Sequence, residues 1–103
     1  MTLDQRTYSR RVLALYSRLP DTPSRHRRAD RQLVVQLHQR SVDIDTIESA
    51  LFLATARRLC RPPDRPPLPP VRSLAYYLPV LDELLLHPLP HGYTQYLRSK
   101  VLL

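Results

Sequence analysis

"SVDIDTIESALFLATARRLC", residues 41–60, decides the fold. Asp45 and Glu48 stand at capping-box spacing and set carboxylates at the positive end of a helix dipole, while Arg57 and Arg58 fall at its negative end. Between them "ALFLA", residues 50–54, is apolar on every side of a helix. A helix without a polar face is buried all round, so this stretch predicts the central helix of an all-α core.

Two amphipathic helices are predicted before it. In "TLDQRTYSRRVLALYSRLP" (2–20) Thr2 and Gln5 stand at capping-box spacing, and Tyr8, Val12, Leu15, Tyr16 and Leu19 line one stripe. Arg6 and Arg10 occupy the opposite face, Arg11 and Arg18 flank the stripe, and Pro20 ends the helix. In "DTPSRHRRADRQLVVQLHQRS" (21–41) Thr22 is the expected cap and Pro23 the first helical residue, with the helix running to about Arg40. Ala29, Leu33, Val34 and Leu37 form its expected inner face, and Arg28, Arg31, His38 and Gln39 its outer one. Val35 sits among the outer polar residues without an explanation.

After the central helix, "RPPDRPPLPP" (61–70) holds six of the eleven prolines. In polyproline II geometry ten residues reach about 31 Å, which suits a stiff strap along one side of a small domain. Its PxxP frames also match WW and SH3 ligands, but any run this rich in proline generates such frames. "VRSLAYYLPVLDELLLHPLP" (71–90) follows with Ser73 as cap, and Leu74, Leu78, Leu81 and Leu85 as the face that anchors it on the third helix. Pro79 must either kink that helix or begin a second segment. "HGYTQYLRSKVLL" (91–103) reads as a short helix with Tyr93, Tyr96, Leu97 and Val101 on one side. The expectation is therefore one all-α domain over 1–103, a small bundle of four or five helices with a proline-rich connector, 61–72, between the third and fourth.

Composition narrows the function. A chain of 103 residues supports one core and not a substrate-enclosing architecture. Its single glycine, Gly92, cannot build a phosphate-binding loop, and its single cysteine, Cys60, excludes an internal disulfide. Cys60 reads as a small half-buried filler. His87 and His91 are separated by prolines and lack a cysteine pair, so no metal set is expected. Asp82 and Glu83 are adjacent and point apart, which leaves no paired-carboxylate site. No apolar run is long enough to span a membrane, and "MTLDQRTYSRR" does not have the order of a secretory signal. The sequence predicts a cytoplasmic, non-enzymatic protein without a cofactor, a metal or catalytic residues.

Charge supplies the positive argument. The net charge is +7, and fifteen of the sixteen basic residues are arginine, whose planar fork matches phosphate. A GC-rich genome would give the same bias, and a charged face also serves solubility. Yet the excess is placed: residues 6 to 31 carry eight arginines against Asp21 and Asp30, whereas residues 73 to 103 balance at zero. Arg25, Arg27, Arg28 and Arg31 form the expected phosphate-binding cluster, with Arg10, Arg11, Arg57 and Arg58 at its margin. Tyr76 and Tyr77 read as core residues ahead of base-stacking ones.

The turn "RSVD" (40–43) between the second and third helices invites a helix-turn-helix reading. Val42, Ile47 and Ala50 suit the apolar positions of that motif, but Gln36 and Leu37 do not, and Ser41 stands where glycine eases a left-handed turn. Asp43, Asp45 and Glu48 would repel phosphates, so the second helix is the better nucleic-acid contact.

"VRSLAYYLPVLDELL" after "ATARRL" resembles the C-terminal helical part of bacterial replication-initiation and mobile-element proteins, over about residues 45 to 87. The resemblance implies a winged-helix or DnaD-like module that binds DNA or a partner helicase, with Tyr76 and Tyr77 at its aromatic positions. The combined expectation is a nucleic-acid-binding accessory protein, for DNA before RNA, in the replication or mobility of a genetic element. The alternative is an adaptor that docks on a larger protein partner or on its own copy through its apolar C-terminal half and proline-rich stretch.

Overall fold

The computed structural model describes residues 3–102. Their order is α1 (Gln5–Arg18), α2 (Arg28–Gln39), α3 (Ile44–Leu59), a 3₁₀ segment (Leu74–Tyr77), α4 (Leu78–Leu86) and α5 (Tyr93–Val101), with no strand among the described residues. The chain is an all-α domain with α3 at its centre, packed against α1, α4, α5 and the 3₁₀ segment. Ile47, Ala50, Leu51, Phe52 and Ala54 are buried, whereas Leu53 of the same apolar middle is only half-buried, so one side of the helix is incompletely covered.

The stripe of α1 is buried as its spacing predicts, from Tyr8 to Leu19. Its cap differs: Asp4 accepts from the Thr7 amide at 2.7 Å, and Thr2 lies outside the described residues. That amide bond, with the guanidinium groups of Arg10 and Arg6, holds the Asp4 carboxyl below its ordinary range.

The start of α2 is later than Thr22 and Pro23 suggest. The Thr22 hydroxyl donates to the Leu19 carbonyl, and the helix begins at Arg28, after Arg27, whose amide donates to Asp30 Oδ2 at 2.9 Å. Asp30 is 2% exposed, while Ala29, expected inside, is exposed. The buried face is turned by one residue because that carboxylate also accepts from the Leu74 amide at 2.9 Å. His38, expected on the outer face, is half-buried, with its Nε2 2.9 Å from the Leu3 carbonyl oxygen and its ring edge-on to Tyr8.

The α2–α3 turn closes with Ser41 donating to the His38 carbonyl and Val42 to the Leu37 carbonyl. This is the Schellman pattern, with Ser41 at φ 60° in the left-handed position that glycine favours. The cap of α3 is Asp43 and not Asp45, which falls in the first turn.

Beyond α3 the connector turns at Pro62–Arg65 and then runs exposed to Pro70. Arg61 donates to the Pro66 carbonyl and Arg58 to the Pro69 carbonyl, and Val71, buried, donates its amide to Asp21. Pro79 begins a second segment: the 3₁₀ turn precedes it, and it takes an early position of α4 where no amide partner is needed. The tighter 3₁₀ turn shifts the phase of the face, so Leu74, Tyr77, Leu81 and Leu84 are buried and Leu85, the expected anchor, is exposed. On α5 only Leu97 and Val101 are buried; Tyr93 and Tyr96 stand in solvent. Their place on the α3-facing side is taken partly by Thr94, whose hydroxyl meets that of buried Ser49 at 2.6 Å.

Candidate nucleic-acid interface

The eight candidate arginines separate into two groups. Arg11, Arg57 and Arg58 bind the protein's own acids. Arg11 reaches Glu48 at 3.0 Å and ties α1 to α3. Arg57 grips Glu83 with both guanidinium nitrogens, at 2.9 and 2.7 Å, and this hydrogen bonding is the main reason the Glu83 carboxyl titrates below its ordinary range. Arg58 donates to the Tyr76 hydroxyl at 3.1 Å, to Pro69 at 3.0 Å and to Asp21 at 3.4 Å, and its side chain is only 10% exposed. The Tyr76 hydroxyl leads the causes that raise its already high pKa.

Arg10, Arg25, Arg27, Arg28 and Arg31 are exposed, and none forms an ion pair among the described residues. Neither Asp21 nor Asp30 forms an ion pair with them: Asp21 reaches Arg58 at a long 3.4 Å, and Asp30 turns its two oxygens to the Arg27 and Leu74 amides in the interior. Arg25, Arg27, Arg28 and Arg31 therefore keep guanidinium groups outside any ion pair among the described residues, and Arg10 meets the Asp4 charge only at longer range.

These residues line two depressions that share Arg31. One, of about 540 Å³, lies between α1 and the start of α2; Arg10, Arg25 and Arg31 surround it, His26, Ser17 and Ser24 add polar groups, and Leu13 and Ala14 form its floor. The other, of about 550 Å³, runs along α2 past Arg28, Arg31, Gln32, Val35 and Gln36. Val35, half-buried, follows Arg28 and Arg31 at helical spacing and is the apolar member of this lining. Arg27 stands at the start of α2 without lining either depression. Ser17 lies two turns beyond Arg10 on α1, at a spacing the sequence shows, whereas Ser24 and His26 carry no sequence signal, because only the approach of the α1–α2 loop to α1 brings them to Arg10.

The third helix is shut out of this face. It packs against α1, α4 and α5, with Val42, Ile47 and Ala50 all buried, and its exposed start presents Asp43 and Asp45. Tyr77 is buried, and desolvation raises its pKa well above the ordinary tyrosine value. Tyr76, expected in the core, is instead exposed, with Arg58 5.4 Å from its ring centroid. Cys60 is exposed rather than half-buried, since α3 ends there and the chain turns away.

No group of three or more metal-ligating side chains gathers among the described residues. None of their helices is long and apolar enough to cross a membrane. No family model, curated protein or solved structure matches the chain.

Proposed function

We propose that the protein is a non-enzymatic, cytoplasmic nucleic-acid-binding accessory that holds the phosphate backbone through the α1–α2 face. The observation that carries this reading is the meeting of Arg10, Arg25, Arg28 and Arg31 around two adjoining depressions, none of them in an ion pair among the described residues. Guanidinium groups in such a cluster neutralise phosphates and release counterions. Arg27 extends the cluster at the start of α2. Contacts of this kind give affinity with little base discrimination.

DNA is the partner placed first and RNA second. A role in replication or mobility of a genetic element rests on the resemblance over residues 45 to 87. Of its two forms the helical one is kept, since a wing needs a β-hairpin and the described residues have no strand.

The test is binding to labelled double-stranded and single-stranded DNA and RNA across a salt series, beside an inert basic protein of equal charge. The double variant Arg28→Gln, Arg31→Gln is expected to weaken DNA binding and to flatten its salt dependence by a slope of about 2. Unchanged affinity in that variant, or wild-type binding no tighter than the inert control, would refute the reading.

A further inference from the structure

A second surface shares no residue with the arginine depressions. Between the last two turns of α3 and the length of α5 lies a cleft of about 510 Å³, floored by Leu53, Ala56, Leu97 and Val101. Leu59, 56% exposed, and Tyr96, 48% exposed, stand at its rim. The Ser49–Thr94 hydroxyl contact pins the start of α5 to α3, so the cleft is formed before anything enters it. Large apolar side chains held in solvent around a concave floor are the mark of a binding surface.

We infer that this cleft takes an amphipathic helix of a protein partner, with apolar side chains in the cleft and acidic residues along the flank beside Lys100. The length is suitable: α5 from Tyr93 to Val101 rises about 12 Å, two turns, which matches anchors at i, i+4 and i+7 of a docked helix. The charge is specific. Among the described residues Lys100 and Arg57 are the ionisable groups of the lining apart from Cys60 and the tyrosines, and none of them brings a carboxylate to it. Glu83, the acid next to Arg57, is already held by both guanidinium nitrogens. An acidic flank therefore meets, at Lys100, a cation without an ion pair among the described residues, where a basic one meets repulsion.

The same observations disfavour the other occupants. A second copy seated by two-fold symmetry would bring two Lys100 rims together, and each copy carries a net charge of +7. A nucleobase needs an open aromatic face. Here Lys100 already lies 5.5 Å from the Tyr96 ring centroid, Tyr93 meets Tyr96 edge-on, and the floor is aliphatic.

The experiment uses the full chain and two fluorescein-labelled synthetic helices with the same leucine face, one flanked by glutamate and one by lysine. Anisotropy should show the glutamate helix binding at least about ten-fold more tightly than its lysine twin. Leu59→Ser and Tyr96→Ala, both exposed positions that leave the core intact, should each weaken it by about five-fold or more. The Arg28→Gln, Arg31→Gln variant should bind it as the wild type does, which separates this surface from the nucleic-acid one. Equal binding of the two helices, no binding, or indifference to Leu59→Ser and Tyr96→Ala would overturn the inference. So would a wild-type dimer in sedimentation that Leu59→Ser dissociates, or single-stranded DNA binding lost in Tyr96→Ala.

Discussion

The carboxylate of Asp30 and the backbone amide of Leu74, 44 residues apart in the chain, are joined by a buried hydrogen bond of 2.9 Å. The other oxygen of the same carboxylate caps α2 at Arg27. One buried side chain thus fixes both the start of the arginine-bearing helix and the return of the chain after the proline connector.

Removing this carboxylate should be costly. Asp30→Ala deprives the buried Leu74 amide of its acceptor and α2 of its cap, a loss of about 3 kcal/mol, enough to consume much of a small domain's stability. Asp30→Asn keeps one acceptor oxygen but turns an NH2 group toward a backbone donor, so it should recover only part of that loss. Urea denaturation of the two variants checks the order wild type, Asn, Ala.

Ser41 offers the opposite test. It occupies the left-handed region at φ 60° and is exposed, so Ser41→Gly relieves backbone strain without touching the core. The gain should be about 1 kcal/mol, read as a raised urea midpoint at constant slope. Asp21, at φ 62°, shares the conformation, yet its side chain meets Arg58. Asp21→Gly should therefore gain less than Ser41→Gly.

Three tyrosines make stability fall at high pH. Burial pushes the hydroxyls of Tyr8 and Tyr16 up to about 12, and that of Tyr77 higher still. In the unfolded chain they ionise near 10. Above that pH the unfolded state has lost protons that the native state keeps, so stability is full below about pH 10 and declines between about pH 10 and 12, on the order of 2 kcal/mol for each tyrosine. Tyrosinate absorbance should rise together with loss of helix. At neutral pH the hydroxyls differ: that of Tyr8 donates to the Val42 carbonyl at 2.7 Å, whereas that of Tyr16 has no partner among the described residues. Tyr8→Phe should cost about 1 kcal/mol and Tyr16→Phe nothing, or slightly stabilise.

What was legible in the sequence followed from periodicity and breakers. "ALFLA" identified the central helix, the Tyr8 to Leu19 stripe identified α1, and Pro79 marked a segment boundary, because each depends on local spacing alone. What is not legible there depends on distant partners. Asp30 looks like one more surface charge until Leu74 arrives from across the connector. Among the eight candidate arginines, the sequence could not separate those with an acid waiting elsewhere in the fold from those without one. Glu48 and Glu83 find Arg11 and Arg57 only through helix packing.

That separation yields the last prediction. Arg58 anchors the end of the proline connector to α3, with its side chain against the Tyr76 ring and its guanidinium on the Pro69 carbonyl. Its bond to Asp21 is long and the carboxylate is 65% exposed, so that arm contributes little. Arg58→Gln should cost roughly 2 kcal/mol through the lost charged hydrogen bonds and ring contact, and should speed proteolytic cleavage within residues 61–70. Nucleic-acid affinity, measured on the folded fraction, should not change, whereas Arg28→Gln should lower affinity and leave the urea midpoint where it was. The two variants thus move opposite readouts if the arginines are divided as the ion pairs indicate. A loss of affinity in Arg58→Gln at unchanged stability would place the interface at the connector instead.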